Sequence, residues 1–186
     1  ITYPSGKTVS YSPNALGRPM QVSGYAQNIT YWPSGQIRMI SYVNGTSTEY
    51  NQNSRLWPSS FTTRRGGGAL YNNNTYSYDG VGNLTSIRDS VESDYNRTLG
   101  YDNINRLVSS NGPWGSGSIA YGGNGNISSQ KFGNSTLNYS YDSNNKLTST
   151  QKSGAANYYS YDSYGNIVVG DGKKYNYDNA SNLVCV

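Results

Sequence analysis

The sequence predicts an all-β protein built from antiparallel hairpin repeats of about 20 residues, stacked into a twisted, spiralling sheet. Three observations predict it. A Tyr-Asp corner keeps returning, as "YDGVGNL" at 78, "YDNINRL" at 101, "YDSNNKL" at 141, "YDSYGNI" at 161 and "YDNASNL" at 177, with "YGGNGNI" at 121 as a variant. Side chains alternate with period two around the corner: in "LNYSYD", Leu137, Tyr139 and Tyr141 point one way and Asn138 and Ser140 the other, which is the signature of a half-buried strand. No window carries the apolar stripe of a long helix; even the charged stretch "RDSVESDYNR" (88–97) reads as an enlarged loop between strands.

Self-similarity at a fixed period marks a repeat architecture. Tyr101, Tyr121, Tyr141 and Tyr161 fall 20 residues apart, and the series extends back through Tyr78, Tyr50 and Tyr31 and forward to Tyr177. The whole chain, 1–186, is therefore expected to be one array, clearest over 29–186, with a degenerate copy in 1–28 around "YSPNALGRP".

Each corner has a mechanism. In "YDSYG", Asp162 can accept a hydrogen bond from a backbone N–H two residues on, and Gly165 can take the left-handed conformation that a turn with a bulge requires. Tyr78, Asp79 and Gly82 repeat that arrangement. Asn105 follows Tyr101 and Asp102 in the glycine position, and Asn145 follows Tyr141 and Asp142; Asn is the next-best residue at positive φ. After Tyr177 and Asp178 the position falls to Ser181, and Ser54 is placed there in the copy near Tyr50; both corners are expected to be looser. After the Tyr161 corner, Ile167 and Val169 are expected to share a face. The hairpins are then joined by looser links of Ser, Asn and Gly. Single hairpins are marginal in water, so neighbouring repeats must supply the buried face.

Composition sets the kind of core. The 186 residues include 20 Tyr and 22 Gly, no His, and 13% charged residues. Tyrosine must supply much of the buried surface, and each buried ring brings a hydroxyl that needs a partner, which favours thin layers. Such aromatic content argues against disorder. The net charge is +4, with positive residues scattered and paired only at Arg64-Arg65 and Lys173-Lys174, which is not the dense stripe of a nucleic-acid binder. The single Cys185 excludes an internal disulfide framework and a cysteine zinc set. No apolar run is long enough for membrane insertion. The chain begins at Ile1 and stops two residues past "NLV", so both ends are expected to be cuts within something longer.

The pattern Tyr-x-Tyr-Asp-x-x-Gly-x-Leu/Ile, carried by "YSYDGVGNL" (76–84), "YSYDSNNKL" (139–147) and "YSYDSYGNI" (159–167), resembles the RHS or YD-repeat family. "YVNGTSTEYNQNSRL" (42–56) is similar to its variant in which Tyr-x-Asn-Gly precedes the corner. That family includes bacterial Rhs and wall-associated polymorphic toxins, C components of insecticidal toxin complexes, and teneurins. The resemblance implies a β-ribbon spiralling into a hollow shell, with this chain an arc of its wall. It implies as partners the other repeats of the parent protein or an enclosed C-terminal toxin or effector, and a secreted or cell-surface location, in bacteria. The self-cleaving site of the bacterial shells sits near Asp-Pro-x-Gly; no Asp-Pro occurs here, so no catalytic residue is carried over.

Chemistry in the remaining residues is sparse. Without His the usual proton shuttle is missing, and the Asp residues recur at corners, where a turn duty accounts for them. "GPWGSGS" (112–118) lacks triad partners, and "RRGGGAL" (64–70) lacks the Gly-Lys-Ser/Thr ending of a nucleotide loop and reads as a flexible turn. The corners lack the acidic spacing of calcium loops. Asn-x-Ser/Thr triplets at Asn28, Asn83 and Asn126 follow from composition. The expectation is a non-enzyme with no cofactor and no metal.

The alternative is a carbohydrate- or cell-wall-binding module, because aromatic platforms suit sugars. A repeated binding pocket should repeat its aromatic grip, and Trp32, Trp57 and Trp114 do not recur in phase. Should glycans bind, the irregular places are the candidates: Trp57, Arg64 and Arg65 in the widest gap, and Trp114 in the "GPWGSG" loop.

Overall fold

Strands whose side chains alternate between apolar and polar can bury one face only, and hairpins let successive strands share it. The computed structural model describes residues 1–68 and 70–186 and is all-β, apart from a single 3-10 turn at Ser93–Tyr95 among the described residues. Two compact units divide it, Ile1–Thr98 and Leu99–Val186.

In the first unit, residues 1–25 form isolated bridges, Thr2 with Thr8, Pro13 with Pro19 and Val22 with Ala26. Strands β1 (Ala26–Tyr31), β2 (Ile37–Tyr42), β3 (Thr46–Gln52), β4 (Pro58–Arg65), β5 (Leu70–Tyr78) and β6 (Leu84–Asp89) follow, antiparallel neighbours in chain order. The first residues of β7 (Arg97–Tyr101) pair with β6, Thr98 opposite Ser86. The charged window gives its ends to these strands, and residues 90–96 form the link. The turn expected for the glycine run 64–70 includes Ala69, which lies outside the described residues.

In the second unit, β8 (Leu107–Gly112), β9 (Gly115–Tyr121), β10 (Ile127–Phe132), β11 (Ser135–Tyr141), β12 (Leu147–Lys152) and β13 (Ala155–Tyr158) again pair in chain order. Beyond them β14 (Ser160–Tyr161), β15 (Ile167–Gly170) and β16 (Lys173–Lys174) form a three-stranded sheet, and β17 (Asn176–Tyr177) with β18 (Leu183–Cys185) a two-stranded one. The switch falls at Tyr159, whose N–H still donates to Thr148 while its hydroxyl donates to Asp171 Oδ1 at 2.7 Å.

A β-bulge follows the corners and corrects one expectation. Tyr161 faces Ile167, but Ser160 faces Val169, leaving Val168 as the extra residue. Cross-strand partners share a face, so Ile167 lies on the Tyr161 face and Val169 on the opposite one. The same shift puts Leu147 opposite Tyr141 and Thr150, not Ser149, opposite Tyr139. Tyr31 with Ile37, Tyr78 with Leu84, Tyr121 with Ile127 and Tyr177 with Leu183 show it too.

The links between hairpins are tighter than expected. Lys152 pairs with Ala155 across Ser153-Gly154, at φ 50° and 85°, and Gly170 pairs with Lys173 across Asp171-Gly172, at 51° and 75°. Two consecutive positive φ values define the type I′ turn, whose twist matches the flanking strands.

The covered face is thin. Among the described residues the buried apolar side chains are Val9, Ala26 and Ile29; Thr48, Thr62, Ser110 and Thr150 are buried polar ones. The accessible surface is 12073 Å². Even two separate compact domains of half this mass would expose only about 10,600 Å² together. The excess accords with how few side chains the described residues bury.

Candidate functional site

The recurring feature is the five-residue corner. The N–H of its first residue donates to the carbonyl of the fifth, and the N–H of the fourth donates back to the first: 3.0 and 3.2 Å at Asp162–Asn166, 2.9 and 3.1 Å at Asp142–Lys146. The same pair closes turns starting at Tyr3, Asn14, Trp32, Asn53, Asp79, Asp102, Gly122 and Asp178. Where the first residue is Asp or Asn, its Oδ1 accepts from the third and fifth N–H groups, as Asp162 does from Tyr164 and Asn166, both at 2.9 Å. The second oxygen takes a side chain: Asn83 on Asp79, Asn166 on Asp162, Asn182 on Asp178, and Arg106 Nε on Asp102 at 2.7 Å.

These donors favour the charged carboxylate. The Asn83 amide, with backbone N–H groups, holds Asp79 below its ordinary pKa; the amides of Asn166 and Asn182 do the same for Asp162 and Asp178. For Asp102 the backbone N–H of Arg106 is the main cause, with its guanidinium adding to it.

The fourth position is left-handed whatever occupies it: Gly82 at 105°, Gly165 at 90°, Asn105 at 64°, Asn145 at 62°, Ser181 at 61°. The corner at Ser181 is not looser, since both its closing bonds measure 3.0 Å. The copy near Tyr50 has a different frame. Asn53 opens the corner and Leu56 holds φ 63°, so Ser54 is only the second residue and Gln52, not Tyr50, precedes the turn. A leucine in this region is strained by about 1–2 kcal/mol.

Successive corners are tied together by a rule invisible in any one of them. At Tyr31, Gln52, Tyr78, Tyr121 and Tyr161 the residue ahead of a corner leans onto the fifth residue of the previous corner. In the second unit, Arg106 lies 4.2 Å from the Tyr121 ring and Lys146 5.2 Å from the Tyr161 ring. In the first, Arg18 stacks on Tyr31 at 5.6 Å, Gln52 donates to Gln36, and Trp57 packs on Tyr78 at 5.2 Å. The tyrosine hydroxyl then donates to the carbonyl one residue further: Tyr121 to Leu107, Tyr141 to Ile127 and Tyr161 to Leu147, each 3.0 Å, and Tyr31 to Pro19 at 2.7 Å. A partner for the half-buried hydroxyl is thus supplied by the backbone of the preceding corner.

Tyr101 ends β7 ahead of Asp102 and is half-buried, and Tyr177 ends β17 opposite Leu183. Trp57, half-buried, is the fifth residue of its corner, with the Arg55 guanidinium 5.0 Å from its ring and Gly82 beneath it. Arg64 and Arg65 are exposed at the other end of β4, so the fold does not bring them to Trp57. In the second unit, Trp114 is exposed in the link between β8 and β9, its ring edge-on to Phe132 at 6.3 Å.

A groove of about 510 Å³ in the first unit was not foreseen as a site. The rings of Tyr50, Phe61, Tyr76 and Tyr78 line it, with Ile37, Pro58 and Leu84, and polar Gln36, Asn51, Gln52 and Ser60. Tyr50 and Phe61 are 5.2 Å apart and tilted by 39°. Burial pushes the phenol pKa of Tyr50, Tyr76 and Tyr78 up, so all three remain proton donors at neutral pH. The alternation of Tyr76 and Tyr78 was the available signal.

The fold defines a β-hairpin repeat array with corners along its strand ends. No protein-family model matches the sequence, and no curated protein matches it. Solved structures do. The chain is similar over 96% of its length to a TcdB2–TccC3–TEV crystal structure, at 18% identity and a TM-score of 0.61. It is similar over 98% to the Tc holotoxin pore of Photorhabdus luminescens with a mutated TccC3, at 18% identity and a TM-score of 0.66. TcdB2–TccC3 without its hypervariable C-terminal region matches over 91%, at 19% identity and a TM-score of 0.53. The chain spans 11%, 11% and 10% of those chains respectively. The likeness is one of fold, and the all-β hairpin class expected from the sequence is the class found.

Proposed function

We propose that residues 1–186 are one continuous YD-repeat array, a structural wall segment of an RHS-type shell. The observation that carries this reading is the tied row of corners, on a fold shared over nearly the whole chain with toxin-complex chains. Tyrosine and leucine build the sheet face, Asp and Gly or Asn bend it, and the thin, one-layered face suits a wall better than a solid domain. The parent protein encloses or displays an effector and acts outside the cell or at the bacterial surface; the segment itself is not an enzyme. Its partners are the neighbouring repeats and the enclosed cargo, and Trp114, Arg64 and Arg65 are surface cover. Electron microscopy of the longer polypeptide carrying this segment tests the reading. A hollow particle is expected, and a solid particle with no lumen refutes it.

A further inference from the structure

Tyr121, Tyr141 and Tyr161 spend their hydroxyls on backbone carbonyls, but the tyrosines of the groove do not. Tyr50, Tyr76 and Tyr78 direct no hydroxyl hydrogen bond to any described residue, and Tyr78, the counterpart of Tyr121, packs on Trp57 at 5.2 Å. Three phenol donors therefore stand beside apolar ring faces in one groove, and no charged side chain lines it. Neutral walls select against nucleic acids and charged peptides. The rings of Tyr50 and Phe61 are tilted by 39°, so they form a wedge and not the flat platform on which a sugar face stacks.

A wedge between aromatic rings beside phenol donors that make no hydrogen bond within the described residues suits a ligand that brings compact apolar rings and bare acceptors. A polyproline II segment is such a ligand, since proline offers a pyrrolidine ring and a carbonyl but no N–H. Tyr50 on β3 and Tyr76 on β5 lie two strand spacings apart, with Tyr76 one side-chain repeat nearer the corner than the level of Tyr50. That diagonal is about 12 Å, the reach of about four polyproline II residues. We propose that this groove binds a proline-rich segment of a separate partner protein, with Tyr50, Tyr76 and Tyr78 donating to its carbonyls and Phe61 seating a proline ring. The inference is independent of the wall reading, because a groove of this chemistry works on a wall or on an isolated module.

Calorimetric titration of the whole chain with acetyl-octaproline amide tests it, beside acetyl-diproline amide, a Gly-Ser octapeptide and cellohexaose. Saturable octaproline binding with a Kd below about 1 mM is expected, and no binding by diproline, which is too short for the diagonal. Tyr76→Phe keeps the ring and should weaken binding about fivefold, the share of one neutral hydrogen bond; Tyr50→Phe and Tyr78→Phe should act alike. Circular dichroism of each variant confirms its fold. Absence of octaproline binding at about 5 mM overturns the proposal. So does equal binding of the Gly-Ser peptide, binding indifferent to all three hydroxyls, or a preference for cellohexaose lost with the same tyrosines.

Discussion

Tyr121→Phe removes one oxygen and leaves the ring, which isolates the tie between successive corners. The hydroxyl donates to the Leu107 carbonyl at 3.0 Å, between neutral groups in a half-buried setting. The net value of such a bond is about 1 kcal/mol. The Arg106 guanidinium, 4.2 Å from the ring, is retained over Phe. Tyr121→Leu removes the ring as well and forfeits that contact, worth about 0.5–1 kcal/mol at a partly exposed site. Urea unfolding is the assay, followed by circular dichroism and fitted with a separate transition for each unit where the curve requires it. Tyr121→Phe should lower stability by about 1 kcal/mol at unchanged m, or Tm by about 2–4 °C for a chain of this size. In double-mutant cycles with Arg106→Gln, the Leu variant should show coupling of about 0.5–1 kcal/mol and the Phe variant almost none. A Tyr121→Phe cost below about 0.3 kcal/mol would show that the hydroxyl bond ties nothing, and equal coupling in both cycles would refute the assignment of the cation to the ring.

Two glycines in the same corner position should differ when replaced by alanine. Gly125 at φ 86° has open space around a Cβ, so Gly125→Ala should cost about 1–2 kcal/mol from backbone strain alone. A Cβ on Gly82, at φ 105°, would come within 3.0 Å of the Trp57 ring, so Gly82→Ala should cost about 1 kcal/mol more and shift tryptophan fluorescence, checked by urea melts and emission spectra. Acid should weaken the corners. Asp79, Asp102, Asp162 and Asp178 have folded pKa values below the ordinary one, so their contribution is complete above about pH 4 and is lost as pH falls through the folded values. Melting temperature followed from about pH 6 to pH 2 should therefore fall below about pH 4, and Asp162→Asn should flatten part of that fall; a flat profile would exclude the carboxylates as corner supports.

Local signals were legible in the sequence, and those that depend on the partner strand were not. Alternation in "LNYSYD" and the turn residues after it sufficed for the all-β hairpin class, since both act within a few residues. The bulge was hidden because its extra residue has no common chemistry: Ser128, Thr148, Val168 and Val184 occupy it in different hairpins. Ser54 was given the left-handed position of Leu56 for a related reason, because nothing in a leucine side chain announces positive φ. The Asp and Gly of each corner could be read as turn chemistry, but the acceptors of the tyrosine hydroxyls are backbone carbonyls, which leave no mark on residue type. Trp57 drew attention as a lone tryptophan out of phase, whereas its position is the one held elsewhere by Arg106 and Lys146.

Each hydroxyl tie runs in one direction along the chain, from a tyrosine to a carbonyl 14 residues earlier at Tyr121, Tyr141 and Tyr161. During synthesis that acceptor emerges from the ribosome before its tyrosine does. A hairpin can then be latched onto its predecessor without waiting for its successor, and the search at every step stays short because the loop to be closed is short. The same one-way latch makes length a free variable, since inserting or deleting one repeat breaks a single tie and forms another of the same kind.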